Sequence, residues 1–199
     1  VFVPGEPVQV TAHGFVREDA LLVESYRVDP LRVMREAQGY LWRILAPGGN
    51  GYGPGPEGHL PLSRIPTLAS VGRSSVAPQR DAEGVFTQRL PLPIRDPGLY
   101  LVACRGDGME RLDWLMVTDL GVVTKRCGTD LLAYAVDLAS GKPAPGTEIR
   151  LFTEKAEGPA ATTDGSGMAR LAITGDEPAL LAARRGNSMA FVRLWASGE

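Results

Sequence analysis

The sequence predicts an all-β chain folded as two tandem β-sandwiches of the fibronectin III/immunoglobulin-like kind. Three observations predict it. Short runs of alternating apolar and polar residues recur along the chain, spaced roughly ten residues apart in its second half. Its 24 Gly and 16 Pro, about a fifth of the 199 residues, cluster between those runs and favour turns over long helices. Only one convincing helix start occurs. An apolar content of 44% suffices for packed cores, and the length allows two ordinary domains, placed at 1–118 and 119–199.

In the first domain, Val8 to Ala12 alternates after the turn Pro4-Gly5-Glu6-Pro7, and Leu21 to Val28 forms the next strand. Asp29 then stands as N-cap with Pro30 at the first helical position, so a short helix begins there, and Gly39 ends it. Ala46 to Gly58 (APGGNGYGPGPEG) predicts a long irregular loop and the first site of proteolytic nicking. Leu60 to Pro78 is weakly patterned, with one strand near Thr67 to Val71. Strands return at Val85–Leu92, Gly98–Cys104 and Arg111–Val117, the last two joined by a tip at Arg105 to Gly108. Leu99, Leu101 and Ala103 share one face of that hairpin, and Tyr100, Val102 and Cys104 the other. Both faces therefore require cover, the sandwich's own core on one and a neighbouring domain or the long loop on the other; Trp114 and Met116 share one face of the partner strand, Leu115 and Val117 the other.

Seven short strands make the second domain: Val122–Lys125, Leu131–Leu138, Glu148–Phe152, Ala160–Thr163, Ala169–Ile173, Leu180–Arg184 and Met189–Leu194. In Glu148-Ile149-Arg150-Leu151-Phe152 the two aliphatic residues point one way and Arg150 the other. The turns carry Gly, Pro, Asp and Asn, as at Ser140-Gly141-Lys142-Pro143 and Thr163-Asp164-Gly165-Ser166-Gly167.

Several function classes find no footing. A net charge of −2 gives no electrostatic basis for binding nucleic acid or an anionic membrane, and no apolar run approaches the ~20 residues of a spanning helix. The two histidines, His13 and His59, are isolated, no G-x-S-x-G occurs, and no His/Cys spacing suits zinc. Asp119, Asp130, Asp137 and Asp164 read as turn formers. Cys104 and Cys127 fall in different domains and read as two semi-buried free thiols. Arg105-Gly106-Asp107 could display an adhesive tripeptide, but Gly-Asp-Gly is ordinary turn chemistry. Tyr40, Trp42 and Tyr52 read as anchors of the irregular loop. The sequence therefore assigns no catalytic, cofactor-binding, metal or thioester residue and expects no enzyme. It starts at Val1 without Met and ends on the strand-like Phe191 to Trp195, which suggests a piece of a longer polypeptide.

One succession of motifs is more specific. Gly98-Leu99-Tyr100-Leu101-Val102 leads to Val117-Thr118-Asp119-Leu120-Gly121, then to Val136-Asp137-Leu138-Ala139-Ser140-Gly141-Lys142-Pro143. The Thr163-Asp164-Gly165-Ser166-Gly167-Met168-Ala169 hairpin follows, then Ala182-Ala183-Arg184-Arg185-Gly186. This order resembles the junction between consecutive macroglobulin domains of bacterial alpha-2-macroglobulins, over about Leu92 to Leu194. The resemblance implies structural shell domains of a protease-trapping, endopeptidase-inhibiting protein of the bacterial periplasm or cell envelope. Its partners would be other domains of the same parent chain and the proteases that the whole protein traps. The family's thioester motif, C-x-E-Q, is not matched: Cys104 continues as Arg-Gly-Asp and Cys127 as Gly-Thr-Asp. The alternative is an Ig-like stalk or adhesin fragment of a cell-surface protein.

Overall fold

The computed structural model describes residues 1–36, 65, 68–153, 156–173 and 179–194. The loop expected at Ala46 to Gly58, with Tyr40, Trp42, Tyr52 and His59, lies outside them. Thirteen strands and one short helix make up the described residues. The chain divides into two units, Val1–Asp29 with His59–Val117, and Pro30–Gly58 with Thr118–Glu199.

Unit 1 holds β1 (Gln9–Phe15), β2 (Leu21–Val28), β3 (Leu68–Val76), β4 (Val85–Pro91), β5 (Gly98–Gly106) and β6 (Met109–Val117). A four-stranded sheet in the order β3-β2-β5-β6 faces a two-stranded sheet of β1 and β4. The core between them contains Val8, Val23, Leu90, Ile94, Tyr100 and Val102, with Leu115 and Val117 from β6. Of the two faces of β6, Leu115 and Val117 face the core, while Trp114 lies half-buried opposite Leu101 on the other face. Leu99, Leu101 and Ala103 on that second face are fully buried as well.

β3 runs five residues beyond its expected end because an edge strand buries little and shows no clean alternation. Its Gly72 lies against Pro93, where an added Cβ would come within 2.3 Å of the ring. The β5–β6 tip is the two-residue turn Asp107-Gly108, with φ of 50° and 69°. Positive φ at both central residues is the geometry that an Asp-Gly hairpin turn supplies.

Unit 2 takes α1 (Pro30–Glu36) and seven strands: β7 (Leu120–Cys127), β8 (Asp130–Asp137), β9 (Glu148–Thr153), β10 (Glu157–Thr162), β11 (Met168–Ala172), β12 (Ala179–Arg185) and β13 (Ser188–Leu194). The sequence reading placed the helix inside the first sandwich. In the structure it groups with the second, and Arg35 pairs with Glu157 of β10 at 2.9 Å. A three-stranded sheet, β11-β8-β7, packs on a four-stranded one, β10-β9-β12-β13. Between them lies one core, including Leu131, Ala133, Ala135, Ile149, Leu151, Leu171, Leu181 and Ala183. Both flanks are closed, since β13 packs beside β7 and β10 beside β11.

The start of β13 lies next to the start of β7, tied by a hydrogen bond from the Ser188 hydroxyl to Asp119. The two strands therefore run in the same direction. Arg185 joins this pole of the sandwich, 2.6 Å from Asp137.

Candidate functional site

The two loop motifs of the sequence meet in unit 2. The Thr147 hydroxyl and the Thr163 hydroxyl both donate to the Ala144 carbonyl, each at 2.8 Å. The Thr147 amide donates to the Thr163 hydroxyl at 2.9 Å, and the two backbones exchange further bonds through Gly146 and Thr163. Thr147, Thr163 and Ala144 are buried. All three groups of this knot are satisfied within the protein, so it offers nothing to a ligand. Its work is to hold the loop before β9 against the loop after β10.

Asp164 closes the next turn, accepting from the Ser166 and Met168 amides and the Ser166 hydroxyl. These bonds, led by the Ser166 hydroxyl, hold its carboxyl below the usual range. Gly167, at φ 78°, leaves only 2.7 Å between a would-be Cβ and the Ala135 carbonyl, so the turn admits no side chain there. Asp130 is lowered by Arg170, 3.0 Å away. Asp137 is lowered to about 2, first by the Arg185 guanidinium and then by the Ser140 amide and hydroxyl. Asp119, Asp130, Asp137 and Asp164 each hold a turn or an ion pair, and among the described residues no three His, Cys, Asp or Glu side chains gather as a metal site.

The RGD tripeptide is engaged within unit 1. The Asp107 carboxylate accepts from the Arg17 and Glu18 amides at 2.5 and 2.9 Å. Arg105 pairs with Glu110 at 2.6 Å and with Glu24 on the neighbouring strand. Neither charge is presented as an adhesive tripeptide would require. His13 stands on the exposed face of β1, 2.8 Å from the Thr87 hydroxyl. Cys127 is exposed at the mouth of the β7–β8 turn rather than semi-buried, while Cys104 is half-buried and burial pushes its thiol pKa up.

One concave feature was not foreseen from the sequence. A groove of about 410 Å³ opens in unit 1 between β1 and β6, the free flank of its sandwich. Val10, Ala12, Phe86, Leu90, Val102 and Cys104 form its apolar floor, and Arg111 and Asp113 stand at its rim. It brings together residues about ninety positions apart, which no local motif signals. Thr11, His13, Cys104, Arg111 and Asp113 are among the polar and titratable residues of its lining.

Residues 117–198 match the family model of the bacterial alpha-2-macroglobulin MG3 domain. No curated protein matches the sequence. Among solved structures, native alpha-2-macroglobulin from Escherichia coli spanning domains MG0-NIE-MG1 superimposes with a TM-score of 0.67 at 22% identity. That match covers 96% of this chain and 60% of the other. The same protein spanning domains NIE-MG1 gives 0.64 at 20% identity, over 96% of this chain and 91% of that one. The domain labels differ between the family model and the solved chains, but both lie within the same family. The resemblance to bacterial alpha-2-macroglobulins and the all-β, macroglobulin-type architecture are thereby borne out.

Proposed function

We propose, from the premise that these are macroglobulin-type domains like those of bacterial alpha-2-macroglobulins, that the chain supplies structural shell modules to a protease-trapping protein. The observation that carries this reading is the agreement of two independent comparisons on one family: the MG3 model over 117–198 and the E. coli fold over 96% of the chain. The residues fit a structural role. Their polar groups are spent on turns and on ties between strands, as at Thr147, Thr163, Asp164 and Asp107. The partners in this reading are the other domains of the parent chain and the proteases it holds, in the periplasm or cell envelope, and the chain itself performs no catalysis.

The test is direct. The 199-residue chain, incubated at micromolar concentration with a panel of broad endopeptidases, is expected neither to cleave substrate nor to inhibit. Stoichiometric, time-dependent inhibition by this chain alone would overturn the structural role. The full parent polypeptide is expected to retain a protease after being cut by it, seen as co-elution on gel filtration. A parent that never retains one would overturn the trapping role.

A further inference from the structure

The groove in unit 1 lies between two unsatisfied strand edges. On β6 the outward groups are fixed by one bond: the Phe2 amide donates to the Met116 carbonyl at 2.8 Å. By the alternation of an antiparallel ladder, Glu110, Leu112 and Trp114 also turn their N–H and C=O away from β5. On β1, Val8 accepts from Leu92 at 2.9 Å, so Gln9, Thr11 and His13 turn theirs away from β4. Among the described residues no other strand pairs with either edge. The Trp114 amide is met only by the carboxylate of its neighbour Asp113, at 2.9 Å.

Phe2 shows what such an edge accepts. It forms a parallel bridge with Val117, and its ring packs against the core that the groove opens onto. Polypeptide running back from Phe2 in the same extended conformation would pass along β6 towards Met109. Every second side chain, in phase with Phe2, would then face Val10, Ala12, Val102 and Cys104.

We propose that this groove is a strand-acceptor site, which takes an extended polypeptide joined to Val1, parallel to β6 and apolar at alternate positions, as a continuation of the Phe2 bridge. The strand would meet the open main-chain groups of β6, displace the Asp113 carboxylate from the Trp114 amide and cover the apolar floor. The site is read from the strand edges of unit 1 and stands apart from the trapping role.

Cys104 in the groove floor is a built-in reporter. The 199-residue chain carrying Cys127→Ser is compared with the same chain bearing an extension of about eight residues before Val1, enough at ~3.3 Å per residue to reach Met109. In one version valine occupies every second position counted back from Phe2, with threonine between; in the other the two are exchanged. Alkylation of Cys104 by N-ethylmaleimide and hydrogen exchange of the Leu112 and Trp114 amides are followed. The in-phase extension is expected to slow both by about tenfold or more, and the exchanged one to leave both within about twofold of the unextended chain. No slowing with the in-phase extension, or equal slowing with both, would overturn the proposal. Equal protection by the same peptide added free in solution would overturn its attachment to Val1.

Discussion

Asp107 illustrates how much one side chain can carry at the tip of a hairpin. Its backbone sits at φ 50°, which Asp and Asn tolerate better than most residues, and its carboxylate satisfies two amides from a loop some ninety residues earlier. Asp107→Ala is therefore expected to destabilise the chain by about 1–3 kcal/mol, and Asp107→Asn by less, because Asn keeps the backbone preference and one acceptor. Urea denaturation of the two variants measures the difference, and equal midpoints would contradict the assignment. Asp137 gives a pH signature. Its folded pKa of about 2 lies below the ordinary aspartate value of about 3.9, so its contribution is complete above the higher value and disappears as pH falls through the lower. Asp130 and Asp164 shift in the same direction. The melting temperature is expected to hold steady above about pH 5 and to fall between about pH 4 and 2, less steeply in Asp137→Asn. A midpoint for that variant with the same acid dependence as the parent would refute the pairing with Arg185.

At the scale of the element, burial pattern governed what the sequence revealed. β2 is visible at its true ends, Leu21 and Val28, because Leu21, Val23 and Val28 are deeply buried in a central strand. β12 is equally plain, with Leu180 and Leu181 buried on its two faces. β3 was legible only in its first residues, since Ala69, Ser70 and Val71 are all exposed and leave no period of two to read. The core face of β6 stayed open in the sequence for a related reason: in a strand with apolar residues on both faces, alternation says which residues share a face but not which face is the core. The cost of substitution should follow position accordingly. Leu181→Ala, in the centre of the unit 2 core, is expected to cost about 2–5 kcal/mol. Val123→Ala, 63% exposed on β7, is expected to cost less than about 0.5 kcal/mol. Denaturant unfolding of both variants provides the check, and comparable losses would mean that β7 is covered in solution.

For the molecule as a whole, the all-β architecture and the resemblance to bacterial alpha-2-macroglobulins were legible while the groove in unit 1 was not. The order of turn motifs from Gly98 to Gly186 carries the family resemblance, because those turns are set by local chemistry that survives in sequence. The groove between β1 and β6 depends instead on which strand edges remain unpaired, a property of the assembled sheets. Unit 2 shows the opposite condition, with a continuous core and both flanks covered. Residues 118–199 expressed alone are therefore expected to fold and melt cooperatively, even though ~80 residues is a modest size for an independent core. Calorimetry or circular dichroism would show it, and a chain without a transition would mean that Pro30–Gly58 is indispensable to the unit.

The shared direction of β7 and β13, fixed where Ser188 meets Asp119, has a mechanical meaning. The polypeptide enters this sandwich at one pole and leaves it at the opposite one, advancing by about the length of a seven-residue strand, ~23 Å. Tension applied to the two ends therefore runs along the strands and loads the whole flank in shear, instead of peeling one hairpin at a time. Such a module behaves as a strut.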